Sequence, residues 1–157
     1  MQQFNVKVIV ISIANPMLVG IYQNDCLVET IQKEGKTSDI LPTLFNDVLS
    51  KYNIEEIFYV NGPGSYMAIK IAYVFLKTIS LVNQIKLYAI SGFDLNGNSP
   101  IKALGKKYFI RIESDGKEEI IIDFLNDREI QEFVLPDNLL NLKFSENTLP
   151  EYNLPAV

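Results

Sequence analysis

The sequence predicts an α/β fold in which a three-stranded antiparallel meander is followed by alternating helices and strands. Short apolar runs separated by turns fill the first 32 residues. Two longer stretches then have apolar residues at helical spacing, and a short apolar strand follows each of them. The predicted strands are residues 6–13, 17–22, 27–32, 56–60 and 85–90, with helices from about residue 38 to 52 and from 66 to 82.

The first strand predicts burial on both faces of the sheet. Residues 6–13 form an almost continuous apolar run rather than an alternating one, which is typical of strands covered on both sides. Asn15-Pro16 and the sequence 23–25 supply short turns after the first two strands. Strands joined by such short connections pair antiparallel, so we expect a meander.

The first helix is predicted from a broad apolar stripe. Ile40, Leu44 and Val48 recur every four residues, and Ser38 or Asp39 could cap the helix start. Pro42 is compatible with a first turn. The stripe predicts a helix that packs on the sheet and ends near residue 52.

The second helix, residues 66–82, contains no glycine or proline and has unusually little polar surface. Its most polar face has residues at steps of four, three and four, and apolar side chains cover most of the rest. A helix lying on one sheet needs only one apolar stripe. We therefore expect something besides its own sheet to bury this helix. The polar face comprises Tyr66, Lys70, Tyr73 and Lys77.

The order of elements is the plan of the ribonuclease-H-like fold, which is also used in each half of actin-like ATPases. We predict that this domain occupies residues 1–92. Residues 93–157 form a shortened C-terminal region, with a hairpin near 107–124 around Ser114-Asp115-Gly116-Lys117. From residue 126 the chain lacks periodicity, which predicts an irregular tail.

The bulk composition excludes several classes of protein. A net charge of -5 makes stand-alone binding of nucleic acid unfavourable, because phosphate contacts need clustered Lys and Arg. Cys26 is the only cysteine, and a chain without disulfides fits a reducing compartment. The apolar run 8–13 is too short to span a membrane. We expect a cytoplasmic protein without a membrane partner.

The turn between the fourth strand and the second helix admits two interpretations. Gly62-Pro63-Gly64-Ser65 could be a tight connection, with Ser65 capping the helix, or a phosphate-binding loop at a helix N-terminus. A Walker loop has lysine directly after its last glycine, and here Ser65-Tyr66 stands there. The GxGxxG pattern is also absent. The chemistry favours the tight connection.

The stretch NGPGSYMAIKIA resembles the GPGSFTGLRIG signature of the TsaB (YeaZ) family, a subunit of the bacterial machinery that makes threonylcarbamoyladenosine in tRNA. Gly62 to Ser65 match outright, whereas Met67 and Ala68 depart from the family's Thr-Gly. The similarity covers residues 6–92 and is thin beyond them. Further matches are Tyr66, Ile69, Lys70, Ile71-Ala72, Ile40-Leu41-Pro42, Ala89-Ile90-Ser91, Pro150 and Tyr152.

The resemblance implies a non-catalytic partner subunit. In this family a TsaD relative carries the metal site and transfers threonylcarbamoyl to adenosine, and the ATPase TsaE joins the pair. It implies no tightly bound cofactor and no metal or catalytic residues here, ATP or ADP only at the complex interface, and tRNA contact only through the complex. Pairing would use the two N-terminal helices, and a homodimer is the alternative. The interface residues predicted in this way are Ile40, Leu44, Val48, Tyr66, Ile69, Lys70, Tyr73 and Lys77.

Two departures bear on activity. Ser12-Ile13 stand where the family commonly has Asp-Thr, and the family's histidine before the first helix is replaced near Lys36. An enzyme of this fold would need clustered carboxylates for metal, yet Glu29 is the only acidic strand residue between 6 and 32. A weak ATPase that uses residues 62–65 as a phosphate loop, and a self-associating scaffold without nucleotide, stay open as alternatives.

Overall fold

The computed structural model describes residues 3–152 and has the predicted mixed α/β fold, with a five-stranded sheet and two helices. A smaller three-stranded sheet follows in the chain. The elements are β1 Phe4–Ile11, β2 Met17–Gln23, β3 Cys26–Lys33, α1 Thr37–Lys51, β4 Tyr52–Gly62, α2 Tyr66–Asn83, β5 Lys86–Ser91, a 3-10 turn Gly92–Leu95, β6 Ile101–Lys102, β7 Lys107–Ser114 and β8 Lys117–Phe124.

The strand pairing of the large sheet follows from the connections between strands. β1 is antiparallel to β2, and β2 is antiparallel to β3, so the predicted meander is confirmed. β4 is parallel to β1 and β5 is parallel to β4, which gives the order β3-β2-β1-β4-β5. Parallel neighbours need crossover connections. Here α1 and α2 are the helices that precede and follow β4.

Both faces of the sheet are buried, as the apolar run of β1 predicts. Val8 and Val10 belong to the core beneath the two helices. Ile9 and Ile11 point to the opposite face and belong to a second core. All four are fully buried. The second face is therefore covered by a part of the chain other than the helices.

The start of α1 differs from the prediction. The helix begins at Thr37 with Lys36 as its N-cap, and no side chain caps it. The predicted cap at Ser38 or Asp39 is wrong because both residues already lie inside the helix, as does Pro42. Lys51 ends the helix and Tyr52 starts β4 directly.

The tail covers the second face of the sheet without forming a helix or strand between residues 125 and 152. Leu135 is buried against that face, and the Tyr22 hydroxyl donates a 2.7 Å hydrogen bond to the main-chain oxygen of Pro136. Asn138 forms a β-bridge with Cys26 on edge strand β3, and Ser145 forms one with Ala89 on edge strand β5. The tail therefore crosses the sheet from one edge to the other.

The last described residues, 148–152, form a segment that we call the C-terminal strap. The hydroxyl of Tyr59, a residue of the helix-side core, donates to the main-chain oxygen of Thr148. Asn61 makes two hydrogen bonds to the strap. Its side-chain Nδ2 donates to the main-chain oxygen of Leu149 at 2.9 Å, and its main-chain oxygen accepts from the Glu151 amide at 2.8 Å. The strap is thus attached to the end of β4.

The second sheet has the order β6-β7-β8 and its own apolar cluster of Phe93, Ile101 and Phe109. The β7–β8 hairpin turns through Asp115 and Gly116, which both have positive φ, as two-residue hairpin turns require. An ion pair of 2.9 Å between Arg111 and Asp94 connects β7 to the 3-10 turn that follows β5.

Candidate functional site

The glycine turn between β4 and α2 is shaped by contacts with two other parts of the chain. Gly62 has φ of 144°, and a Cβ atom there would overlap the main-chain oxygen of Glu151 in the strap. A Cβ atom on Gly64 would lie 2.7 Å from Cγ2 of Ile13. Both glycines therefore allow close approach of neighbouring chain, as expected for a tight connection.

Ser65 occupies the N-cap position of α2, but its side chain makes no capping hydrogen bond. Ser65 therefore holds the predicted N-cap position, but the predicted capping by its hydroxyl is wrong. The contact that starts the helix comes from the main chain instead, because the Ser65 oxygen accepts from the Ile69 amide at 3.0 Å.

A cleft of about 860 Å³ opens beside the glycine turn, between the β1–β2 turn, the start of α2, the second sheet and the tail. Its walls are mainly apolar. Lys102 and Glu132 are the charged side chains that line it, and the Lys102 ammonium already donates to the Gly105 oxygen. Within residues 3–152, no three His, Cys, Asp or Glu side chains are grouped to hold a metal ion. The cleft therefore offers poor chemistry for a metal–nucleotide complex.

The predicted interface residues fall into two groups. Leu44 and Val48 are buried in the helix-side core, with exposures of 7% and 2%. Ile69 of α2 is fully buried as well. These three residues have no surface for a partner, and the prediction is corrected for them. The centre of a broad apolar stripe packs against the sheet. Leu44 and Val48 lie at the centre of the α1 stripe, and Ile69 lies on the inward side of α2. Ile40 is half-buried at the edge of the same core.

The polar face of α2 is only partly open. The Tyr66 ring lies against the Tyr152 ring of the strap, with centroids 4.4 Å apart, and the Lys70 ammonium lies 5.6 Å from the Tyr66 centroid. Tyr73 is half-buried and packs against the core, with its ring 6.1 Å from that of Tyr59. Lys77 is half-buried. Tyr73, which the sequence places on the polar face and in the predicted interface, therefore also contacts the core.

The exposed apolar surface of α2 lies on another line, which we call the outer ridge. Its members follow one another at alternating steps of four and three residues, the spacing of helices that pack against another helix. Met67 and Val74 are 58% and 55% exposed. The helical spacing of these apolar residues is visible in the sequence, but Thr78 interrupts it. The outer ridge comprises Met67, Ile71, Val74, Thr78 and Leu81.

A shallow groove of about 440 Å³ runs between the outer ridge and the start of α1. The α1 side contributes Thr37, Ser38, Leu41 and Pro42, and the lining is almost entirely apolar. Ridge and groove together can accept the side chains of another helix. Sequence reasoning missed Met67, Val74 and Pro42 as members of this surface.

The length and composition of α2 would also allow it to cross a membrane, with mean hydropathy 1.2 over Tyr66–Asn83. In the structure this helix packs on β4, β5 and α1. Its inward side is part of the helix-side core, through Ala72 and Leu76, which are fully buried. Its apolar character is therefore divided between that core and the outer ridge.

Comparison with known proteins finds likeness in fold. No protein-family model matches the chain, and no curated protein matches its sequence. The solved structure of YeaZ from Pseudomonas aeruginosa resembles it with a TM-score of 0.57 and 11% identity, over 82% of this chain and 68% of that one. A second structure, described as an uncharacterized protein with similarity to peptidase YeaZ from Pseudomonas aeruginosa, has the same TM-score and identity, over 88% and 73%. The likeness to YeaZ that the glycine turn indicates is confirmed for the fold.

Proposed function

We propose that this chain is a non-catalytic subunit of TsaB type, built on a ribonuclease-H-like domain, that pairs with a TsaD-like threonylcarbamoyltransferase in the modification of tRNA. The observation that carries the proposal is the outer ridge of α2 with its groove, an exposed apolar surface at helix-packing spacing. The YeaZ-like fold and the matching turn Gly62-Pro63-Gly64-Ser65 support the choice of partner.

In this proposal the partner presents an apolar helix that lies along the ridge. Residues of the ridge enter the partner's grooves, and the partner's side chains enter the groove beside Leu41 and Pro42. Lys70 lines the same groove and can lay its stem on apolar surface while its ammonium stays in water. Ile40, Tyr66 and Lys77 then lie near the contact rather than at its centre.

The rest of the assembly follows from the same proposal. The TsaE-like ATPase joins the pair, ATP or ADP binds at the complex interface rather than in this chain alone, and tRNA is reached through the complex in the cytoplasm. The cleft beside the glycine turn is mainly apolar and is lined by a single lysine, which supports nucleotide binding at the complex interface rather than in this chain alone. A homodimer through the same ridge is the competing use of this surface.

The experiment is a reconstitution. Threonylcarbamoyl transfer to tRNA is measured with the TsaD-like and TsaE-like subunits of the same cells, with and without this chain. We expect transfer to need this chain, and to be lost with Val74→Glu but not with Leu140→Glu, an equally drastic change at an exposed apolar tail residue. Equal transfer without the chain would exclude the proposal.

A further inference from the structure

The tail pairs with both edge strands of the large sheet but not with residues 117–122 of β8, an edge strand of the small sheet. On the large sheet, tail residues pair with β3 at Cys26 and with β5 at Ala89. On the small sheet, β8 is paired with β7 on one side only. Over residues 117–122, the β8 main chain forms hydrogen bonds with β7 alone among residues 3–152. An open edge of this length offers a row of free amides and carbonyls to another strand.

The open edge carries two adjacent glutamates, Glu118 and Glu119. Glu118 lies directly opposite Glu113 of β7 in the strand register, and like charges opposite each other destabilise a sheet. Both side chains are exposed, as is Glu119, and none of the three forms an ion pair within residues 3–152. A neighbouring positive charge would relieve this repulsion.

A second copy of this chain would not neutralise these glutamates. An antiparallel pair of β8 strands centred on Ile121 would place Glu119 opposite Asp123. Centred on Ile120, the pair would place Lys117 opposite Asp123 but leave Glu118 and Glu119 opposite isoleucines. Neither pairing gives Glu118 or Glu119 a positive neighbour, whereas a foreign strand with lysine or arginine at these positions does.

We propose that the free edge of β8 binds an extended, basic segment of another protein as a fourth strand of the small sheet. The main-chain hydrogen bonds of β8 supply the attachment, and side-chain positions supply the selection. The centre of the strand, Ile120 to Ile122, takes apolar neighbours, while Glu118 and Glu119 take cationic ones. This inference does not depend on the proposed role in tRNA modification.

The test uses the full chain and a synthetic peptide with blocked ends, Thr-Val-Val-Val-Lys-Lys-Thr. Running antiparallel to β8, its valines lie opposite residues 122 to 120 and its lysines opposite Glu119 and Glu118. We expect saturable binding with hydrogen-exchange protection confined to β8. A peptide of the same side chains with every amide N-methylated cannot pair as a strand through either edge, and we expect it not to bind.

Two matched double variants distinguish strand pairing at the β8 edge from general electrostatic attraction between the cationic peptide and the acidic protein. Glu118→Lys with Glu119→Lys is expected to weaken binding about tenfold, since each opposite-charge pair becomes a like-charge pair worth up to about 1 kcal/mol. Glu129→Lys with Glu146→Lys makes the same charge change at exposed tail residues and is expected to leave binding within twofold. Equal binding by the N-methylated peptide, or equal loss in both double variants, would overturn the proposal.

Discussion

The ring of Tyr152 lies against the ring of Tyr66, with 4.4 Å between their centroids, so the C-terminal strap reaches the first residue of α2. The strap therefore joins the end of β4 to the helix that carries the outer ridge. Its attachment depends on Gly62, Asn61 and Tyr59, which precede the helix in sequence. The glycine turn thus has a structural role that needs no phosphate.

Gly62→Ala is expected to lower the free energy of unfolding by about 2–6 kcal/mol, the sum of backbone strain and overpacking at about 1–3 kcal/mol each. The new Cβ atom would overlap the Glu151 oxygen. Urea unfolding and hydrogen exchange of the Glu151 amide measure the effect. Gly116→Ala is the control, because Gly116 also has positive φ but no atom lies within 4 Å of its added Cβ. Equal losses in the two variants would show that the strap contact contributes nothing.

Tyr59 should make the strap's attachment sensitive to high pH. Burial, followed by the neighbouring Tyr73, raises the pKa of Tyr59, so the folded protein favours the neutral hydroxyl that binds Thr148. Stability from this group is present below the pKa of unfolded tyrosine, about 10, and is lost as the pH rises above it. We expect Tyr59→Phe to cost about 0.5–1.5 kcal/mol at neutral pH and to reduce the loss at high pH. Tyr108→Phe, whose hydroxyl has no hydrogen bond within residues 3–152, should leave the stability at neutral pH unchanged.

The rotation of α2 on the sheet is tested by a pair of alanine variants. Ile69 is fully buried, so Ile69→Ala is expected to lower the free energy of unfolding by about 2–5 kcal/mol. Val74 is 55% exposed, so Val74→Ala should change it by no more than about 0.5 kcal/mol. Chemical denaturation measures both. A large loss at Val74 with a small one at Ile69 would reverse the assignment of the two faces.

The strands of the large sheet could be predicted from the sequence, because each apolar run has one physical cause. The apolar runs of β1, β2 and β4 reflect burial between two layers. The pairing of the five strands follows from the length of their connections. The path of the tail could not be predicted, because main-chain oxygens hold it: Pro136 accepts from Tyr22 and Thr148 accepts from Tyr59. Main-chain acceptors leave no trace in a pattern of side chains.

The exposed apolar ridge lies on the second predicted helix, but on a different line from the interface residues that the sequence predicted. Polarity alone assigned Tyr73 to the outside, whereas an aromatic ring with a hydroxyl can be half-buried, as it is here beside Tyr59. The outer ridge was overlooked because Thr78 interrupts its apolar spacing. The rotation of a helix that is apolar on several sides depends on packing, which periodicity does not specify.

Hydrolysis of ATP by the isolated chain is expected to stay at background. The cleft beside the glycine turn is mainly apolar, and Lys102 in it already binds the Gly105 oxygen. Phosphate release with Mg²⁺ is measured for the wild type, Ser65→Ala and Lys102→Ala, and we expect three equal rates. Turnover in the wild type that disappears with Ser65→Ala would support the weak ATPase instead.

The central claim is that the outer ridge of α2 binds a TsaD-like partner, and co-purification from the protein's own cells tests it most directly. Val74→Glu is the variant of choice, because Val74 is exposed and lies outside the core, whereas Tyr73 packs against the core. The tagged wild type and Leu140→Glu are expected to retain the TsaD-like transferase, and Val74→Glu is expected to lose it while unfolding at the same denaturant concentration. Retention of the transferase by Val74→Glu at the wild-type level would contradict the account.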